Sequence, residues 1–466
     1  ADALDAVLIE QAAFDLELFA ATTRSESQAA AASSALDSAS VPQSEYRSAR
    51  GGVQKRLSSG ARLTLDSGFA RRSSNNNAAR NPDYATDVGL SVRQPLWKGA
   101  GKRLNLAPIA RARVSAEQSL FELRSAILDV LAQTEIAYWN LAHARAQSAL
   151  IASALQLAQR LLAENRERES LGLATPLEVL QAEAEVVRQQ QAVIDAERAI
   201  EDASDALREQ MGAVSFLDVL GPVPALSALP AELSALRPLA EVLRDTLSSD
   251  AAAQAQARAL EVRRIEAMLA EEGIRPNLDL TAELHYTGRD ADGARAYRDA
   301  YTATGYDWNV GLELRVPWGL RAARATARQA QRSVARETLR LYALKQQKAQ
   351  AARAAWRAVR AGQQGVAVTD RGRELSRQSF EQARARYREG LLAYREVLEA
   401  QRDLDRARSQ HLSAQIDRLR AEVRLSRVDG TILVRHGYSW ESLDRLAEPP
   451  ELEAHPQAAG LLTSEI

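Results

Sequence analysis

The sequence predicts a duplicated α+β fold, in which a pair of strands leads into a long helical hairpin and the whole unit is built twice. Three observations carry this. Leu171 to Gln181 (LGLATPLEVLQ) matches Glu389 to Glu399 (EGLLAYREVLE) at an offset of 218 when Gly172 is set on Gly390. Each copy has an acid six residues after the glycine, Glu178 and Glu396, followed by Val-Leu. Tyr84 to Pro95 (YATDVGLSVRQP) matches Tyr306 to Pro317 (YDWNVGLELRVP) at an offset of 222. Before Gly172, apolar or small residues recur at heptad spacing over a length no globular core needs. Two matches in one order and at nearly one offset mark an internal duplication, with a period far longer than a solenoid repeat.

Bulk properties narrow the classes. The 466 residues carry a net charge of -1 with 26 % charged side chains, so no basic footprint for nucleic acid stands out. The absence of Cys excludes disulfides, thiolate metal sites and Cys nucleophiles. No apolar run reaches the roughly 18 residues of a transmembrane helix, but the short alternating strands of a barrel escape that test. The sequence begins at Ala1 without Met or signal peptide, as expected of a mature or trimmed chain.

Residues 1 to 21 show helical periodicity (Leu4, Val7, Leu8, Phe14, Leu18), and the Ser/Ala-rich stretch that follows is weakly specified. The period then becomes two. Leu63, Leu65 and Phe69 alternate with polar residues, as do Val88, Leu90 and Val92, across a polar loop from Arg71 to Asp83. In the second half Leu278, Leu280, Leu284 and Tyr286, then Val310, Leu312, Leu314 and Val316, repeat the pattern around a loop of about 287–305. The first repeat is therefore set at 1–225, with strands near 53–69 and 84–95 and helices near 102–170 and 176–212. The second is set at 226–435, with strands near 277–287 and 306–317 and helices near 320–388 and 394–430. A fraying tail, 436–466, is expected after it. Four strands cannot close a barrel, for which about eight are the usual minimum, so strands that span a membrane must come from several chains.

The helices carry their own signals. Leu120, Leu123, Ile127, Val130 and Thr134 open a seam that continues through Leu141, Ile151 and Leu155 to Leu162. The return helix has Leu177, Leu180, Ala184, Val187, Gln191 and Ile194, and the last helix has Ala400, Ala407, Ala414 and Ala421. Gly172 and Gly390 suit helix ends, and Pro176 suits a first turn. Gly362, Gly365 and Gly372 predict a bend or loosened winding in the second long helix. Trp97 and Trp318, each just after the Pro that ends a second strand, are placed as interfacial anchors.

Two halves of strand pair plus helical hairpin, with QPLWKGAG after the strands and GLATPLEVLQAEAEV at the tip, resemble the TolC-like outer membrane factor family from about residue 50 to 430. The resemblance implies a homotrimer whose chains share one twelve-stranded outer-membrane β-barrel, continuous with a long periplasmic α-helical barrel. It implies an exit duct in outer membrane lipid, working with a periplasmic adaptor protein and an inner-membrane pump for efflux or type I secretion. By position, Gly172, Leu173, Gly390 and Leu391 resemble the tips that meet the adaptor. Glu396 and Glu399 resemble the ring of acids at the periplasmic aperture, with Glu178 as counterpart in the first half and Tyr387 as a constricting tyrosine. Leu392 stands where the type member of the family has an arginine.

Other classes fit less. His143, His285, His411, His436 and His455 are scattered, with no HExxH, GxSxG or P-loop, so no enzyme, catalytic residue, metal site or cofactor is expected. A soluble coiled-coil scaffold or adaptor-like protein would account for the heptads but would leave the alternating hairpins without a purpose.

Overall fold

The computed structural model describes residues 2–28, 39, 41–76, 80–212, 235–303 and 305–441. In chain order the elements are α1 (Asp2–Ala12), β1 (Leu16–Gln28), β2 (Gln43–Arg56), β3 (Arg62–Ser74), β4 (Asp83–Pro95), α2 (Lys102–Asn105), α3 (Ala107–Ser170) and α4 (Pro176–Gln210). There follow α5 (Leu239–Ser249), α6 (Ala251–Glu272), β5 (Asn277–Asp290), α7 (Gly293–Tyr301), β6 (Gly305–Arg315), α8 (Arg321–Arg388), α9 (Tyr394–Val428) and α10 (Ile432–Arg435). The chain divides into two units, Ala1–Leu120 with Ala255–Leu341, and Phe121–Gln254 with Tyr342–Ile466.

The first unit holds one antiparallel sheet of six strands in sequential order β1 to β6. This corrects the expectation of four strands. The segment expected as one strand, 53–69, is two, separated by a turn in which Leu57 N–H donates to the Ala61 carbonyl and Gly60 takes a positive φ of 95°. Helix at 1–21 is also corrected: only Asp2–Ala12 is helical, and Leu16–Gln28 pairs with β2 along its whole length. Leu16 and Leu18 alternate as in a strand while Leu16 and Phe19 keep a helical spacing, so pairing decides. The polar loop at 287–305 contains the helix α7, capped by Asp292, whose carboxylate accepts from the N–H of Ala294 and Arg295. Ala296 and Ala300 of α7 pack on Gly288, where a Cβ would come within 2.1 Å of the Ala296 carbonyl oxygen.

Strand register gives the sheet two unlike faces. One rung runs Leu18, Val53, Leu65, Leu90, Leu284, Trp308 across all six strands. The rungs beside it bring Leu63, Val92, Ala282 and Val310, then Val88, Tyr286 and Tyr306, to the same side. On the other face the rung Phe19, Gly52, Asp66, Gly89, His285, Asp307 is largely polar. Arg50 there pairs with Asp66 and, at 2.8 Å, with Asp87, while Arg93 pairs with Asp279 at 2.7 Å and Glu313 at 3.4 Å. On the apolar face, Trp308, Val310, Leu312 and Leu314 of β6 are all exposed.

The second unit is a helical bundle held by apolar clusters between its helices. Leu128, Ala132 and Trp139 of α3 meet Leu412, Ile416, Leu419 and Val423 of α9. Ala137 and Leu141 of α3 meet Leu207 of α4. Val242 of α5 joins Ala352 and Val359 of α8 and Ala421 and Leu425 of α9. The seam expected on the return helix is not buried in the chain: Leu177, Leu180, Val187 and Ile194 are each 60–64 % exposed, whereas Val179, Ala182, Glu185 and Leu207 face inward. Gly362, Gly365 and Gly372 all lie within one helix, α8. At Gly362 a Cβ would stand 3.1 Å from Arg418 Cα, so glycine there lets α8 and α9 approach closely. His411 lies 3.3 Å from Thr369 Oγ1 and 3.7 Å from Asp370, a packed polar position. Of the tail expected to fray, Trp440 is packed: it lies against the α3–α9 cluster with Arg124 over its ring at 5.1 Å. Residues 442–466 and the 225/226 boundary lie outside the described residues.

Candidate functional site

The two tips are built by the same backbone device. Gly172 (φ 71°) donates to the Glu169 carbonyl at 2.9 Å and Leu173 N–H to Arg168 at 2.8 Å. Gly390 (φ 75°) and Leu391 repeat this with Tyr387 at 3.0 Å and Arg386 at 2.9 Å. These are Schellman motifs, in which glycine takes the left-handed turn and the next residue caps an orphan carbonyl. Leu173 and Leu391 follow the glycines and are exposed. Leu392, in contrast, is half-buried and packs against the cluster of Leu161, Phe380 and Val397.

The acids after the two glycines differ. Glu178 closes a capping box: its carboxylate accepts from Thr175 N–H at 2.8 Å, and Glu178 N–H donates to Thr175 Oγ1 at 3.3 Å. The second tip has Ala393 at the same place, with no side chain to cap. Glu396 is accordingly exposed, and its carboxylate has no partner among the described residues. Glu399 is exposed and reaches Arg395 only at 3.9 Å. The duplicated acid is a cap in one half and a free charge in the other.

Tyr387 does not line an open surface of this chain. It is 4 % exposed, its hydroxyl donates to Asn165 Oδ1, and the Arg168 guanidinium lies 4.6 Å from its ring centroid. Burial, joined by the charge of Glu178, pushes its hydroxyl pKa up. Around it the hairpins are clasped by polar contacts that the sequence reading did not include. Glu164 of α3 accepts from Arg388 at 2.8 Å and Arg384 at 3.3 Å of α8. Burial raises the Glu164 carboxyl, but the hydrogen bonds and charges of the two arginines outweigh it and hold its pKa below the usual 4.5. Glu185 of α4, 2 % exposed, accepts from Arg402 of α9 at 2.8 Å and from Gln189 at 3.0 Å. Tyr394, buried beside it, is pushed up to about 12, by burial first and by the Glu185 charge second. Their only sequence signal was an acid on an otherwise buried helix face.

In the first unit Trp97 is half exposed after β4 and Trp318 is fully exposed after β6. Leu96 N–H donates to the Leu278 carbonyl at 2.7 Å and Lys98 N–H to Pro276 at 3.3 Å, which fixes the turn carrying Trp97 beside the start of β5. Among the described residues no helix is long and apolar enough to cross a membrane, and no cluster could hold a metal ion.

A family model described as outer membrane efflux protein matches residues 26–213 and again 242–431. The chain belongs to that family. Membership places it in the Gram-negative outer membrane, extending into the periplasm. Among solved structures it is similar to the outer membrane protein VceC of Vibrio cholerae, at 16 % identity with 92 % of this chain and 90 % of that one covered and a TM-score of 0.65. It is also similar to the CmeC outer membrane channel of Campylobacter jejuni, at 15 % identity, 92 % and 80 % coverage and a TM-score of 0.66. No curated protein matches the chain in sequence. Family and structural neighbours are channels rather than enzymes, and in an outer-membrane efflux protein the apolar sheet face has an evident solvent in lipid.

Two predictions test the tips. Thr175→Ala should destabilise the start of α4 by about 1 kcal/mol, whereas Ala393→Thr should stabilise α9 by completing a Thr-x-x-Glu box with Glu396; hydrogen exchange of the tip amides reads both. The Glu164 clasp has a carboxyl pKa lowered by folding, so its stabilisation is full above pH 4.5 and is lost as pH falls through the lowered value. Acidification should therefore speed exchange at the α3 and α8 ends, and Glu164→Gln should abolish that pH dependence.

Proposed function

We propose that three copies of this chain form an outer-membrane exit duct that passively conducts substrates delivered by a periplasmic adaptor and an inner-membrane pump. The observation that carries it is the six-stranded sheet with one apolar face and one ion-paired face, too few strands to close and open at both edges. Lipid suits the first face and a water-filled lumen the second. The exposed heptad row of α4, Leu177, Leu180, Val187 and Ile194, supports the assembly, because a second copy's helix is what such a row fits.

Within this duct the tips Gly172-Leu173 and Gly390-Leu391 meet the adaptor, offering exposed leucines on rigid turns. Glu396 and Glu399 form the aperture acids. Three copies bring six uncapped carboxylates together, a field that draws cations and resists anions. Glu178 acts there chiefly as a cap, and Tyr387 as packing between helices. Trp97 and Trp318 anchor the sheet at the membrane–water interface.

In mild detergent the protein should run with the mass of three chains, and reconstituted in a planar bilayer it should conduct. Glu396→Gln with Glu399→Gln should lower its cation-over-anion preference. A soluble monomer would remove the duct, and unchanged selectivity would remove the aperture role of the two acids.

A further inference from the structure

At the end of the sheet from which the helices leave, an apolar column runs into a pocket of positive charge. Trp308, Val310, Leu312 and Leu314 run down the apolar face of β6, and Val316 and Trp318 follow at the same spacing beyond the strand, every one of them exposed. Gly319 (φ 79°) and Leu320 (φ 49°) then turn the chain into α8. Trp318 and this turn line one side of a cavity of about 350 Å³, whose other walls include Lys98, from the turn after β4, and Arg275 and Asn277, from the start of β5. Arg321, the first residue of α8, lines it too. A hydrogen bond from Lys98 N–H to the Pro276 carbonyl, at 3.3 Å, holds the Lys98 turn beside β5.

The cations of this cavity are largely unanswered within the chain. Arg275 pairs with Glu272 at 3.2 Å, whereas Lys98 and Arg321 have no ion pair among the described residues. The start of α8 supplies no acid either: Arg321 to Arg336 hold five arginines, all exposed, and no Asp or Glu. Like charges one turn apart repel, and cations at a helix start oppose its dipole, so this stretch gains from an anion supplied from outside the chain. The chemistry follows the order of a phospholipid from tail to head: exposed aliphatic side chains, an indole of the kind that settles between hydrocarbon and water, then cations. A soluble anion would use the cations and leave the apolar column and Trp318 without a role. The cavity volume is at the small end of ligand sites, which suits a headgroup whose tails stay outside. We propose that the cavity binds the phosphate headgroup of an anionic phospholipid in the periplasmic leaflet of the outer membrane, with Lys98 and Arg321 on the phosphate and the column ending in Trp318 along the glycerol and acyl chains. This rests on the outer-membrane duct proposed above, which sets the helix-bearing end of the sheet on the periplasmic side.

The test titrates the full chain, purified in mild detergent and stripped of lipid, with phosphatidylglycerol and, separately, with phosphatidylcholine, and counts bound lipid by native mass spectrometry. The unsubstituted protein should take up phosphatidylglycerol well ahead of phosphatidylcholine. Lys98→Gln with Arg321→Gln should weaken phosphatidylglycerol binding by roughly twenty-five-fold, since a cation near a lipid surface is worth about a factor of five, and should leave phosphatidylcholine binding as it was. Lys98→Arg with Arg321→Lys keeps both charges and should keep the preference, which separates loss of the site from damage to the fold. A Gln double variant that retains the full preference overturns the inference, and so does an unsubstituted protein that binds the two lipids equally. Inorganic phosphate that displaces phosphatidylglycerol at equal concentration would assign the cavity to a soluble anion and overturn the lipid. Protein that is not a species of three chains would overturn the duct and the site with it. The native mass in the same spectra tells that failure from a loss of lipid preference in an intact trimer.

Discussion

The pairing of every backbone N–H and C=O in the sheet is the constraint on which the rest of this molecule depends. In hydrocarbon a strand can satisfy those groups only against another strand, and its side chains must then divide between lipid and lumen. The rung from Leu18 to Trp308 and the opposing rung with Asp66 and His285 are that division made residue by residue. The charges on the inner face are paired across strands, Arg50 with Asp66 and Asp87, Arg93 with Asp279 and Glu313, so they brace the sheet sideways while remaining polar enough for a wet lumen. Glycines at 52, 68 and 89 make room for these long side chains.

The helical unit answers the same problem by a different geometry. A helix satisfies its own backbone, so its apolar rows are free to define partners. α9 buries Leu398, Leu412 and Leu419 within the chain, while α4 turns Val179, Ala182 and Leu207 inward and leaves Leu177, Leu180, Val187 and Ile194 outward. Two apolar rows on one helix are what a ring of helices needs, one row for each neighbour. The duplicated tips share their Schellman turns yet differ at the capping position, Thr175 against Ala393. That difference draws Glu178 into a capping box and leaves Glu396 uncapped.

Much of this was legible in the chain. Gly172 and Gly390 announced their turns because only glycine takes a positive φ without strain, and the long helices announced themselves by heptads. The Thr175-Pro-Leu-Glu178 box was also there to be read as a capping signal. The first hairpin was not: β2 reads Arg47, Arg50, Gly51, Gly52, with little apolar alternation, because its pairing rests on glycine and charge chemistry across strands rather than on a hydrophobic row. The same reason hid α7, whose Asp292 cap sits in a polar stretch that resembles a loop. At the tips, the resemblance placed Tyr387 at an aperture, but Asn165 and Arg168, more than two hundred residues earlier, hold it inside. Contacts at that separation leave no local pattern, and neither did the Glu164 and Glu185 clasps.

The most direct measurement of the central claim, that the rung ending in Trp308 faces lipid, is the fluorescence of the reconstituted protein against lipids brominated on their acyl chains, compared with a Trp308→Phe variant. The account predicts that Trp308 contributes a component quenched strongly by bromolipid and little by aqueous iodide. A Trp308 component quenched by iodide and untouched by bromolipid would place that face in water and contradict it.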